Sequence, residues 1–287
     1  MATMKAIKKR ISSVNNTKKI MKAMDLVAAS KLQKAKSRLE DIRPLYDNIK
    51  HVMDGIRAGI RPGSEIPFAE EREEVSSIAY IVLTSDRGLC GGYNANVSKE
   101  ALRLINENAD VRENLLTVGS KGLEYFKRRG KNVVFKCAGA SEATTFENAE
   151  DIGEIISSMY TEGEVDEVYL IYTHFESVLA HEPCIEKLLP IHAGQRNDDE
   201  KKIEMDYDPD INTFISYAVP MYLNVTIFGA MIESAVCEYA SRMTSMDSAT
   251  RNAGDIIEDL TLVYNRKRQG MITQEITEIV SGANALK

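Results

Sequence analysis

The segment Ser85-Asp86-Arg87-Gly88-Leu89-Cys90-Gly91-Gly92-Tyr93-Asn94 follows an apolar run and opens a helical pattern. A phosphate-binding turn would lie at such a place, because the free N–H groups of a helix start attract anions. The spacing of Gly88, Gly91 and Gly92 does not give GxGxxG, and no GxxxxGK[ST] occurs anywhere in the chain. A tight turn using Gly91 and Gly92 for unusual backbone angles explains the segment more simply. Cys90, close to a helix start, has the placement of an activated thiolate. A buried structural thiol is the commoner role for such a cysteine. The four histidines (His51, His174, His181, His192) do not pair at metal-ligand spacing, and no GxSxG elbow is present. Carboxylates are plentiful, but nothing singles out two of them as an acid–base pair. No catalytic residue, metal site or cofactor is expected.

The elements that would position these residues fall into three parts. Stepping alternately by three and four from Met4 gives Met4, Ile7, Ile11, Val14, Lys18, Met21, Asp25, Ala28, Leu32, Ala35, Leu39 and Ile42, with only Lys18 and Asp25 not apolar. A period of 3.5 residues held that long predicts a left-handed coiled coil. Pro44 is expected to bend this helix, and Gly59, Pro62 and Gly63 to end it after about Arg57. The first domain is set at 1–58. Over 75–210 the period changes to short strands (76–84, 115–119, 133–137, 167–174 and a weaker 184–191) alternating with helices (96–108, 121–129, 146–160). That alternation predicts an α/β domain, Rossmann-like, with a mainly parallel five-stranded sheet. The acidic residues 197–210 read as an exposed linker. From Ile211 to the end, 211–287, a second long helix repeats the stepping from Val225 through Tyr264, with a kink expected at Pro220. One helix enters the α/β domain and the other leaves it, so pairing their seams within the chain makes a long antiparallel coiled coil.

Charge and composition exclude several classes. The 287 residues are 44% hydrophobic with a net charge of −7, enough apolar matter for a core and too much for a disordered chain. Residues 1–40 hold eleven Lys/Arg against Asp25 and Glu40, a local charge of +9. A basic helix on an acidic body points to an acidic partner. Nucleic acid is disfavoured, because no aromatics interleave the lysines and the same helix carries a full apolar seam. No run approaches 18 apolar residues, so no membrane span is expected, and the N-terminus lacks the features of a signal peptide. The cysteines Cys90, Cys137, Cys184 and Cys237 show no CxxC or CxxH spacing, which fits a reducing compartment.

Three stretches carry a resemblance to one family. Residues 11–20 (ISSVNNTKKI), with Lys22-Ala23-Met24 and Val27-Ala28-Ala29-Ser30-Lys31-Leu32, resemble the N-terminal helix of the gamma subunits of F-type ATP synthases. The SDRGLCGG of 85–92 is similar to a segment of that family, and LVYNRKRQGMITQEITEIVSGANAL at 262–286 resembles its C-terminal signature. The resemblance implies a central rotor shaft, without catalytic residues of its own, that couples proton flow through a membrane ring to ATP synthesis or hydrolysis elsewhere. It implies as partners alpha and beta subunits (three of each per gamma), an epsilon subunit and the membrane c-ring. It implies a peripheral position on the cytoplasmic face of a bacterial cell membrane. Rotor–stator contacts would then be made by Lys18, Lys19 and Met24 and, at the far end, by Arg268, Gln269 and Thr273. Contacts to the ring would come from Tyr207 and Asp208. Two other readings stay open: a nucleotide-binding enzyme built on the α/β domain, and a basic coiled coil that binds nucleic acid.

Overall fold

The computed structural model describes residues 3–59, 68, 72, 74–139, 144–191 and 211–285. The acidic stretch 197–210, with Tyr207 and Asp208, lies outside the described residues. Two helices dominate: α1, Met4–Gly59, and α5, Ile211–Ala285. Pro44 and Pro220 each sit inside an unbroken helix rather than ending one. The chain forms two compact units, Met1–Ala29 with Arg242–Lys287, and Ser30–Ser241.

The larger unit is organised by a five-stranded sheet in the order β3-β2-β1-β4-β5. Its strands are β1 (Ser77–Leu83), β2 (Arg112–Val118), β3 (Val133–Cys137), β4 (Glu167–Phe175) and β5 (His181–Leu189). Every residue of β1 is buried, which is why SIAYIVL reads as a continuous apolar run rather than an alternation. Strands β1 to β4 pair in parallel, and β5 returns antiparallel beside β4. Only residues 176–180 separate β4 from β5, too short for a crossover, so a hairpin is the sole connection available. One face of the sheet packs Ile78, Tyr80 and Val82 against Val97 and Ala101 of α2 (Tyr93–Glu107) and Phe126 of α3 (Ser120–Lys127). The other face packs Ala79, Ile81 and Leu83 with Ile152 and Ile156 of α4 (Phe146–Thr161), Met53 and Ile56 of α1, and Val219, Tyr222 and Leu223 of α5. Thr145 caps α4 through a capping box with Asn148.

Within this unit the coiled-coil stepping is realised. Leu32 and Ala35 are buried and Leu39 and Ile42 half-buried on α1, while Val225, Gly229, Ile232, Val236 and Tyr239 are buried on α5. Over one 18-residue window α5 is apolar enough to cross a membrane, and 72% of that window is buried inside the protein. Most of that window is therefore taken up by the core of its own chain.

The smaller unit pairs the two helices antiparallel. Lys18 Nζ lies 3.1 Å from where a Cβ on Gly254 would stand, and the next acidic influence on Lys22 after Asp25 is Asp247. Rising numbers on one helix thus meet falling numbers on the other. All of Met4, Ile7, Ile11, Val14, Lys18, Met21, Asp25 and Ala28 are buried or half-buried, and so are Met243, Met246, Thr250, Ala253, Ile257, Leu260 and Tyr264. From Arg268 to Asn284 every residue is exposed.

Candidate functional site

In a doubly wound sheet the ligand crevice opens at the carboxyl ends of the strands where the order reverses. Here that point lies between β1 and β4. The 85–94 segment follows β1 directly, as expected for a nucleotide fold, yet its polar groups are spent within the protein. Asp86 Oδ1 accepts from the Ser120 N–H (3.0 Å) and hydroxyl (2.9 Å), holding the start of α3. Ser85 N–H donates to Asn94 Oδ1 at 2.9 Å, and the Ser85 hydroxyl donates to the Arg87 carbonyl at 2.7 Å. Left-handed backbone occurs at Gly91 (φ 56°) and Leu89 (φ 62°), whereas Gly92 is right-handed (φ −83°) as the residue before α2. The expectation of unusual angles at both glycines thus holds for Gly91 alone, because Gly92 already follows the helical path. Cys90 is a buried thiol, 2% exposed, accepting from Asn94 Nδ2 at 3.2 Å.

Helix α5 occupies the crevice itself. The Ser241 hydroxyl donates to the Cys90 carbonyl at 2.7 Å, and Cys237 Sγ donates to the Thr173 carbonyl at 3.4 Å. Glu233 Oε1 accepts the Phe175 N–H at 3.0 Å and His174 Nδ1 at 2.8 Å. What remains beside Leu83, Thr84, Tyr93 and Glu238 is a void of about 10 Å³, the room of one water molecule and not of a nucleotide. Burial pushes the Cys237 thiol far above its ordinary range, which leaves it a packing group rather than a nucleophile. Among the described residues, no group of three His, Cys, Asp or Glu side chains could hold a metal ion.

The residues assigned to rotor contact lie in the smaller unit and form two groups. Lys18 and Met24 are half-buried along the α1 seam, and Lys19 is exposed. Arg268, Gln269 and Thr273 are exposed on α5. Lys18 stands level with Gly254, so Arg268 lies 14 residues further on, about 21 Å along the axis. The structure does not bring the two groups together. It also reveals surface that heptad counting passes over: Ile20, Leu26 and Val27 are 61%, 61% and 58% exposed. They are apolar residues outside the seam slots, and that misfit with the repeat was the available signal. Near the far end Ile272, Ile276, Ile279 and Val280 are 47–71% exposed.

Two long helices accompany an α/β domain, and one of them, α5, fills the crevice where a doubly wound sheet would hold a ligand. Comparison with known proteins gives the family. A family model described as ATP synthase matches residues 3–286. The chain is 41% identical to the ATP synthase gamma chain of Alkaliphilus metalliredigens over 99% of both chains. Its fold is similar to a chain of the Euglena gracilis mitochondrial ATP synthase in rotational state 3 (TM-score 0.70, 17% identity, covering 99% of this chain and 94% of that one). A chain from the rotor of the same enzyme in rotational state 1 gives 0.66 at 14% identity, covering 94% and 98%. The chain belongs to the ATP synthase gamma chain family.

Proposed function

We propose that this chain is the central shaft of an F-type ATP synthase, turning inside a head of alpha and beta subunits and standing on a membrane c-ring beside an epsilon subunit. Its place would be peripheral, on the cytoplasmic face of a bacterial cell membrane. The observation that carries this reading is the filling of the nucleotide crevice by α5, in a chain 41% identical to a gamma chain along 99% of its length. Fold alone would not separate a shaft from an enzyme, since this sheet hosts many activities. The filled crevice argues against a nucleotide-binding enzyme, and the apolar seam of α1, broken only at Lys18 and Asp25, argues against a nucleic-acid arm.

In this reading 1–58 and 211–287 form the shaft and 75–210 the base. Lys18, Lys19 and Met24 would meet acidic segments of the catalytic subunits, and Arg268, Gln269 and Thr273 the subunits around the far end. Arg268 presents a planar fork of donors suited to a carboxylate, which a lysine cannot copy. Tyr207 and Asp208 would face the ring. The tip, about 265–283, would seat its exposed apolar residues against the surrounding head as a bearing. An asymmetric shaft contacts the three catalytic sites unequally, and only unequal contact can shift their equilibria.

Co-purification tests the assignment: the chain should come down with two larger nucleotide-binding subunits in threefold excess. Replacing Arg268 and Gln269 together by alanine should then lower ATP turnover of that complex about tenfold, on the scale of lost charged hydrogen bonds. Unchanged turnover and assembly would remove those two residues from the contact.

A further inference from the structure

Apart from the crevice, the larger unit holds a second and roomier cavity, of about 220 Å³, between α1, β4 and α5. Gly229 in its wall lets the Tyr46 ring lie close over the α5 backbone: a Cβ there would stand 3.2 Å from that ring. The inner walls are aliphatic and phenolic, from Leu39, Ile42, Tyr46 and Tyr172, the last 6% exposed. Burial, followed by the negative charge of Glu186, holds the Tyr46 hydroxyl protonated far above its ordinary range. The Leu39, Ile42, Tyr46 and Tyr172 walls thus stay neutral. Glu233 also lines the cavity; its Oε1 carries the His174 and Phe175 donors, while Oε2 takes no hydrogen bond among the described residues.

The solvent side is different. Arg43 and Asp47, one helical turn apart on α1, are both exposed and both line the cavity, and neither makes an ion pair among the described residues. Oppositely charged side chains at this spacing pair best with the acid on the N-terminal side, and here the order is reversed. Here they flank an apolar opening as a separate donor fork and a separate carboxylate. Lys50, the next cation along, is already engaged, 3.2 Å from Glu186 and 4.4 Å above the Tyr46 ring.

We propose that this cavity binds a small aromatic zwitterion of the amino-acid class, its ring among Leu39, Ile42 and Tyr172, its carboxylate on Arg43 and its ammonium on Asp47. Glu233 Oε2 then supplies an acceptor for a ring hydroxyl, which favours a phenol over an unsubstituted ring. The volume admits one ring-bearing molecule and excludes a nucleotide. Affinity comes from burying the ring, whereas the two exposed charges mainly select the ligand. The site lies within the larger unit and does not depend on the shaft reading.

Calorimetric titration of the full chain with L-tyrosine, tyramine and 3-(4-hydroxyphenyl)propionate tests the assignment charge by charge. L-tyrosine should bind saturably at millimolar concentration, and the two single-charge analogues about tenfold more weakly. Arg43→Ala should weaken L-tyrosine and leave tyramine unchanged, and Asp47→Ala should weaken L-tyrosine and leave the propionate unchanged. Both positions are exposed, so the two variants should melt with the parent chain, which keeps the comparison valid. Ile42→Trp, which fills the cavity, should abolish binding of all three. Absence of saturable binding, equal binding of the three probes, or indifference of L-tyrosine to both alanine variants would each overturn the proposal.

Discussion

Asn224 of α5 occupies the space that a side chain on Gly153 of α4 would need, its Oδ1 lying where that Cβ would stand. That oxygen is buried and has no hydrogen-bond partner among the described residues, so close packing here outweighs one unsatisfied acceptor. Gly153→Ala should therefore destabilise the chain by about 1–3 kcal/mol, the range for overpacking a core. Combining it with Asn224→Ala should recover much of the loss. Denaturant midpoints of the single and double variants measure the coupling directly.

Acid should weaken a second junction, at the amino ends of β1 and β4. Asp166, 4% exposed, pairs with Arg72 and accepts the Ser76 and Ser77 N–H groups at 2.8 and 2.9 Å. Burial alone would raise its pKa, but the Ser76 and Arg72 hydrogen bonds outweigh it and hold the carboxyl below its ordinary 3.8. A folded pKa below the unfolded one gives stability that is present above pH 3.8 and lost as pH falls through the lowered value. Asp166→Asn should cost about 1.5–3 kcal/mol at neutral pH, because Arg72, partly exposed, loses its carboxylate but keeps the Tyr160 carbonyl. The difference between variant and parent should shrink in melts taken below pH 3.8.

The seam of the smaller unit should accept a more apolar residue. Lys18 fills a seam slot with its ammonium next to Gly254. A polar seam residue fixes register at some cost in stability. Lys18→Met should raise the stability of the chain by about 0.5–1 kcal/mol in thermal melts, on the scale of a half-buried methylene chain gained.

Deleting 273–287 should leave the melting temperature of the isolated chain unchanged, since every described residue there whose side chain is placed is exposed. The same deletion should weaken assembly with the partner subunits, measured by the fraction of chain recovered in the complex. A drop in melting of the isolated chain would mean that the tip is packed against its own protein.

Much of this architecture is written in periodicity. The three-four stepping marks seam residues on both helices that are all buried or half-buried, because a coiled coil imposes its repeat directly on side-chain type. Strand β3 falls on Val133–Cys137 as expected, bounded by Gly130 on one side and Gly139 on the other. The direction of β5 was legible only in the shortness of the 176–180 connection, since the strand itself alternates weakly and looks alike in either sense. The filling of the crevice was not legible. Ser241 meets Cys90 across 151 positions of chain, and no local pattern encodes such a contact. Rotor contacts were assigned through resemblance alone, whereas Ile20, Leu26 and Val27 stand outside the heptad slots in the sequence and needed the fold to show how far they are exposed.

The uncovered apolar residues of the two helices have a consequence for how the chain survives in a cell. Ile20, Leu26 and Val27 on α1 and Ile272, Ile276, Ile279 and Val280 on α5 hold their side chains in water when the chain is alone. Patches of that kind drive aggregation and invite chaperones and proteases. Copies made in excess of their partners should therefore be short-lived. Abundance of the subunit would then be set by the supply of the proteins that cover it, and assembly would act as its own quality control.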